Sequence, residues 1–194
     1  MIGIQRSDAG DIKWKLEPFA SAQGPEYELQ SLIEEVPDLI PWQELGIASA
    51  PVILKREAMT VDGKYIDHLA IDSQGRVYIF EYKIVVNQEM RSVIAQALEY
   101  AAQLEAISTT EEFLTTVDRS WEDLDQLVGE DSGSFRKGLD RTIREADYRI
   151  IIVTDFAGSS RQARVNRRTV EYLRSVTEIY LVEKPRCKLS SRVE

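Results

Sequence analysis

Residues 65–83 read YIDHLAIDSQGRVYIFEYK, two alternating runs joined by Asp72-Ser73-Gln74-Gly75-Arg76. That link suits a three-residue hairpin loop, a type I turn followed by Gly75 in the left-handed conformation. Asp72 then pairs with Arg76, Ile71 with Val77, and so on down to Asp67 with Glu81. On the second run Val77, Ile79, Glu81 and Lys83 share one face, and Tyr78, Phe80 and Tyr82 share the other. Both faces begin apolar, yet Glu81 and Lys83 stand at the end, where a desolvated charge costs several kcal/mol unless it is paired or bound to metal. The plain alternative is a strand that emerges into solvent there, with Glu81 and Lys83 as a surface pair. The register adds Asp67 directly across from Glu81, with β-carbons roughly 5 Å apart. Two like charges repel in that position. Opposed carboxylates with a lysine two residues on instead suit a hard divalent cation such as Mg²⁺. A two-residue loop would set Asp67 against Phe80 and remove the site.

The flanking elements follow from periodicity. Pro25 suits a first helical position, and Leu29, Leu32, Ile33 and Val36 repeat at helical spacing until Pro37 stops the helix. After a loop through Trp42 and Gly46, Val52 to Ala58 reads as a strand, Asp62-Gly63 as a turn, Tyr65 to Asp72 as a second strand and Arg76 to Lys83 as a third. Val93, Ile94, Ala97, Leu98, Ala101 and Leu104 mark a helix from about Gln88 to Leu104. Residues 105–130 carry eight acids and one base, with short helices around Glu111 to Val117 and Trp121 to Val128. They read as an acidic elaboration outside the core. A basic helix from Phe135 to about Ala146, a buried-type strand Tyr148 to Thr154, a helix opening at Gly158 to Ser160 and a last strand Thr177 to Val182 complete the order. Three strands joined by short turns imply antiparallel pairing, and the closing strand, helix, strand unit implies a parallel crossover. The expected fold is α/β, a mixed central β-sheet flanked by helices. It forms a single domain over 1–194, with 1–24 as an arm or edge strand, 105–147 as an acidic helical insertion and 184–194 as a frayed basic tail.

The chain has 194 residues, 43% hydrophobic and 29% charged, within the range of a globular domain with a sizeable core. It contains no run of about 18 or more uncharged apolar residues, and its opening MIGIQRSDAG lacks a basic region followed by an apolar stretch. Neither a membrane span nor secretion is expected. The single cysteine, Cys187, and the single histidine, His68, cannot build a zinc site or a redox motif, and a reducing, cytoplasmic setting fits. His68 adjoins Asp67 but points to the opposite sheet face, as packing or a polar core contact. Nothing resembles a glycine-rich phosphate loop or a nucleophile elbow. A net charge of −9 opposes nucleic acid when the chain is taken whole. Residues 1–130, however, hold 10 basic and 24 acidic side chains, whereas residues 131–194 hold 14 and 9. An acidic half can hold divalent metal and a basic half can hold phosphate, although uneven surface charge on an ordinary domain gives the same counts. Arg161, Arg164 and Arg168 recur at helical spacing, as a face for phosphates or as solvated arginines that balance the acidic half.

Ile66-Asp67, then Glu81-Tyr82-Lys83 after a short hairpin, then Gln96 and Tyr100 on the following helix together resemble the PD-(D/E)xK nuclease superfamily, with its restriction-endonuclease-like fold. The likeness runs from the first helix to the last strand and includes the element order. It implies a metal-dependent nuclease that hydrolyses phosphodiester bonds of DNA. Asp67 and Glu81, with the backbone carbonyl of Tyr82, would bind one or two Mg²⁺ (or Mn²⁺) ions, Lys83 would orient the attacking water, and Gln96 and Tyr100 would lie near the metal. A further acid is implied on the first helix, where the sequence offers Glu26 and Glu28. Glu26 lies nearer the edge of the apolar arc, and either also suits a helix N-terminus for its dipole alone. Two features depart from the pattern: Ile66 stands in place of the motif proline, and the link through Ile84, Val85 and Val86 is unusually apolar. Arg91 is the closest basic residue for a phosphate beyond that link. Nucleic acid, specifically DNA, is the implied partner, and a homodimer is a family-level expectation. Two rivals stand beside this reading. One is a catalytically inactive module on the same fold that binds nucleic acid or a partner; the other is a partner-binding protein using Phe113 and Trp121 of the acidic segment as exposed anchors.

Overall fold

The computed structural model describes residues 2–6, 12–16, 25–84, 90–128, 132–154 and 161–183. Strands β1 (Ile2–Arg6) and β2 (Ile12–Leu16) pair antiparallel with each other. They form a separate two-stranded sheet rather than an edge of the main one. The main sheet has five strands in sequential order: β3 (Val52–Met59), β4 (Tyr65–Ile71), β5 (Val77–Lys83), β6 (Arg149–Thr154) and β7 (Ile179–Glu183). Its first three strands are antiparallel and its last three are parallel, as the short turns and the long connections require. The α/β fold class and its mixed sheet are therefore as the sequence implies.

The β4–β5 hairpin has the three-residue loop. Ile71 pairs with Val77 and His68 with Phe80. Asp72 N–H bonds to the Arg76 carbonyl, Gly75 sits at φ +78°, and the Asp72 carboxylate accepts from the amides of Gln74 and Arg76 at 2.8 and 3.0 Å. An Asx turn of this kind stiffens the loop from its own side chain.

Each face of the sheet carries its own apolar cluster. Tyr78, Phe80, Tyr82, Ile151 and Val153 pack beneath helix α1 (Pro25–Glu35), through its Leu29 and Ile33, and beneath the loop residues Ile40 and Trp42. The other face carries Val77, Ile79, Ile150 and Ile152, covered by α2 (Met90–Glu105), α3 (Thr110–Val117), α4 (Trp121–Val128) and α5 (Ser132–Glu145). Val170 of α6 (Arg161–Leu173) joins the same cluster. Strand β6 is thus apolar at successive positions because it is buried on both sides. Among the described residues no helix is long and apolar enough to cross a membrane.

The acidic segment departs from expectation. Residues 105–128 do not lie outside the core: Phe113, Val117 and Leu124 are fully buried in the cluster with Phe135 and Leu139 of α5. Phe113 is therefore no exposed anchor, and Trp121 is half-buried beneath the Arg136 guanidinium, 4.6 Å from its ring centre. The acids occupy the outward faces and the helix starts, where Thr109 and Glu112 form a capping box and Asp123 exchanges bonds with Ser120. Counting charges over the segment hid two short amphipathic faces. The proposed tail 184–194, the loop opening α6 at 158–160 and the link at 85–86 lie outside the described residues.

Helix α5 also clamps the hairpin. A Cβ on Gly75 would fall on the Leu139 amide and 2.5 Å from the Phe135 carbonyl oxygen, and one on Gly138 would collide with the Gln74 carbonyl. Gly75 adds a left-handed φ to that crowding. Gly75→Ala and Gly138→Ala should each lower stability by about 3 kcal/mol or more. Urea or thermal melts check this, and a loss under about 1 kcal/mol in both would show that the turn and helix separate easily.

Candidate active site

The sheet end where β5 finishes gathers charge. Asp67 lies where the β4–β5 ladder stops, one residue beyond the His68–Phe80 pair. The side-chain alternation breaks there as well, since Ile66 joins the cluster under α2 while His68, two residues on, faces α1. Across β3, Glu57 holds a left-handed φ of +52°, a costly conformation for a residue with a Cβ. Freed from the ladder, Asp67 turns its Oδ2 to accept the Tyr82 backbone N–H at 2.7 Å, and its Oδ1 accepts from Gln30 Nε2 at 2.9 Å.

Glu81 is 2% exposed, and its Oε2 is buried without a hydrogen-bond partner. Burial raises its carboxyl pKa well above the usual range, and the neighbouring Asp67 raises it further, against the opposing pull of Lys83. Burial likewise raises Asp67; the Tyr82 amide opposes this and the Glu26 charge adds to it. Lys83 Nζ lies 3.0 Å from Glu26 Oε2, and Glu26 Oε1 accepts the Ile84 N–H at 3.2 Å. The first turn of α1 is thereby pinned to the end of β5. Of the two acids on that turn, the bonds to Lys83 and Ile84 fall to Glu26; Glu28 is half-buried two residues further on. On α2, Gln96 Nε2 donates to the Tyr100 hydroxyl at 2.6 Å. The phenol is raised by burial, and the Glu81 and Asp67 charges act in the same direction.

Arg91, on the first turn of α2, is exposed, as are Arg164 and Arg168 of α6; the Arg161 side chain lies outside the described residues. Because Lys83 pairs with Thr154, β5 and β6 finish at the same sheet end. His68 stands apart, fully buried, with Nε2 2.6 Å from Glu34 Oε1 and Nδ1 3.0 Å from the Tyr82 hydroxyl. Burial lowers its pKa. A neutral ring must then donate from Nε2 to the acceptor-only carboxylate and accept the phenol proton at Nδ1. It is a polar core contact, as its face implies.

Two partners escaped the sequence reading, Gln30 and Arg56. Gln30 stands four residues after Glu26, one helical turn on the same face, and that spacing was the available signal.

Among the described residues no three acidic or imidazole side chains converge as a ready-made metal cluster, since Glu26 is drawn to Lys83. The donor set nevertheless fits a hard divalent cation. Asp67 and Glu81 are adjacent carboxylates, one buried oxygen of Glu81 lacks any donor, and the Lys83 ammonium whose charge acts on both is ion-paired with Glu26. That leaves two excess negative charges when all are ionised.

No family model and no curated protein matches the chain. Among solved structures it is similar to a repair endonuclease from Pyrococcus abyssi, at 15% identity and a TM-score of 0.38, over 88% of this chain and 50% of that one. It is also similar to an EndoMS–dsDNA2 complex, at 19% identity and a TM-score of 0.37, over 90% and 52%. The chain spans about half the length of these structures. At such identity the likeness assigns no residue, and the reading of the site rests on its own geometry.

The raised carboxyls carry a signature in stability. Both bind protons more tightly folded than unfolded, so the native state holds the extra protons above the ordinary carboxylate range and stability falls as pH rises. In metal-free protein Tm should fall from about pH 4.5 upward. Glu81→Gln should flatten that fall and add on the order of 1–3 kcal/mol at neutral pH. A melting series against pH checks it; an identical profile in the variant would exclude Glu81 as the source.

Proposed function

We propose that the protein is a metal-dependent nuclease that hydrolyses phosphodiester bonds of DNA, with water as the nucleophile. The observation that carries this reading is the meeting of Asp67, Glu81 and Lys83 at one sheet end, with a buried Glu81 oxygen left without a donor. Packing has no use for such a group, because an uncompensated buried carboxylate costs free energy that an apolar residue would not.

In this reading Asp67, Glu81 and the Tyr82 carbonyl hold Mg²⁺ or Mn²⁺. A hard divalent ion bound there supplies Lewis-acid polarisation of the phosphate and lowers the pKa of water. The chain's own groups do the rest. Lys83 presents three donors on a compact charge, which suits it to orient the water and to stabilise charge growing on the phosphate oxygens. Glu26 holds that ammonium at 3.0 Å, so its direction is set before substrate arrives. Tyr100, tied to Gln96, closes the α2 side of Glu81. Arg91, Arg161, Arg164 and Arg168 bind flanking phosphates and give affinity without sequence preference.

The test is cleavage of labelled single-stranded, duplex and branched DNA with Mg²⁺ or Mn²⁺. Wild type should cut only with metal, and Lys83→Ala should cut about 10²–10³-fold more slowly while still binding metal. Metal binding without cleavage of any substrate by wild type would favour the inactive binding module. In parallel, replacing Arg161, Arg164 and Arg168 with Ala should lower the slope of log affinity against log salt by about 1 for each phosphate no longer neutralised. An unaltered slope would return these residues to charge balance.

A further inference from the structure

Arg56 of β3 is held by an unusual number of partners for one side chain. Its Nε donates to Gln30 Oε1 at 3.0 Å, its Nη1 to Ser31 Oγ at 3.0 Å, and its Nη2 to the Tyr27 carbonyl at 3.0 Å. Glu34 Oε2 lies 3.5 Å from Nη1, and the guanidinium stacks 3.8 Å from the centre of the Tyr27 ring. Four residues of α1 thus fix the plane of the guanidinium.

The consequence passes to Gln30, which is 6% exposed. A guanidinium has donors only, so the oxygen of the Gln30 amide must face Arg56 and the NH₂ must face away. It faces Asp67, with Nε2 donating to Oδ1 at 2.9 Å. The orientation of the amide is therefore dictated by chemistry, and a flipped amide would set two donors against each other on one side and two acceptors on the other. Asp67 receives one donor on each oxygen, Gln30 on Oδ1 and the Tyr82 amide on Oδ2. Each oxygen keeps a further lone pair. The carboxylate is thus held with its rotation stopped and its coordinating capacity intact, beside a break in the ladder that would otherwise leave it loose.

We propose that Arg56 and Gln30 are positioning residues for Asp67: Arg56 orients the Gln30 amide, and the amide fixes the Asp67 carboxylate for a divalent cation. This rests on the reading of Asp67 as a metal ligand. Groups that orient a ligand in this way typically change metal affinity by about 10–100-fold when removed. The same contacts also fasten α1 to β3, so loss of stability alone would not distinguish the roles.

Mn²⁺ affinity distinguishes them, measured by calorimetry or electron paramagnetic resonance on the full chain at a temperature where every variant is folded. The set is wild type, Asp67→Asn, Gln30→Met, Arg56→Lys and the Gln30→Met/Arg56→Lys double variant. Gln30→Met keeps the length of the side chain and removes both hydrogen bonds, and it tests the inference even if Arg56→Lys fails to fold. The expected result is a drop of about 10–100-fold for Gln30→Met and a similar drop for Arg56→Lys. The double variant should be no weaker than the worse single one, because the two act in series. Wild-type affinity in Gln30→Met alongside a large loss in Asp67→Asn would overturn the positioning role and leave the metal site standing. Losses that multiply in the double variant would overturn the relay through Gln30. Wild-type affinity in Asp67→Asn would overturn the metal reading itself, and this inference with it.

Discussion

The turn between β4 and β5 is gripped from inside and outside, and the rest of the sheet end depends on that grip. From inside, the Asp72 carboxylate bonds to the amides of Gln74 and Arg76 and to the Tyr78 hydroxyl at 3.0 Å. From outside, Gly75 and Gly138 let the loop backbone rest on the α5 backbone with no side chain between. A slip of one residue would turn every side chain of β5 to the opposite face. Val77 and Ile79 would leave the cluster under α2, and the phenyl and phenol rings would leave α1. Because both faces are packed, the register is held from Ile71–Val77 to His68–Phe80, and Asp67 and Glu81 follow where the ladder stops, near each other though not paired in it.

That end is where the sequence stops serving stability. Glu81 and Asp67 are partly stripped of water beside each other, and their raised proton affinities express the cost. Several contacts offset part of it: the Tyr82 amide and Gln30 on Asp67, and the Lys83 charge on both acids. None reaches the second oxygen of Glu81. Around the site the protein is built to tolerate this. Glu26 and Arg56 tie α1 to β5 and β3, and the His68–Tyr82–Glu34 network stiffens the α1 face of the same strands. A local backbone cost at Glu57 accompanies the break that releases Asp67 from the ladder. A site that spends stability in this way is consistent with a catalytic role, in which the missing stabilisation comes with the ligand.

Much of this was legible in advance. The turn residues 72–76 encode their own geometry, and the alternation of 77–83 separates the two faces, so the nearness of Asp67 and Glu81 could be read from nineteen consecutive letters. The long helix over 90–105 and the doubly buried strand over 149–154 were equally plain, because their periodicity runs through several turns or is unbroken by polar residues. The acidic segment misled for a physical reason. Short helices with acids outward and Phe113, Val117 and Leu124 inward look like charge runs when residues are counted rather than placed on a helix.

What the sequence determined by itself is what local forces decide: turn chemistry, side-chain alternation and helical period act between residues a few positions apart, and they suffice for the hairpin register and the order of elements. The tertiary structure decided which distant groups meet. Glu26 reaches Lys83 across 57 positions of chain, and Gln30 reaches Asp67 across 37. Which acid of α1 turns toward the site, and that Arg56 lies behind Gln30, follow from how α1 seats on the sheet. That seating comes from the collective packing of Leu29, Ile33, Phe80 and Tyr82, and no short window of sequence contains all of those residues.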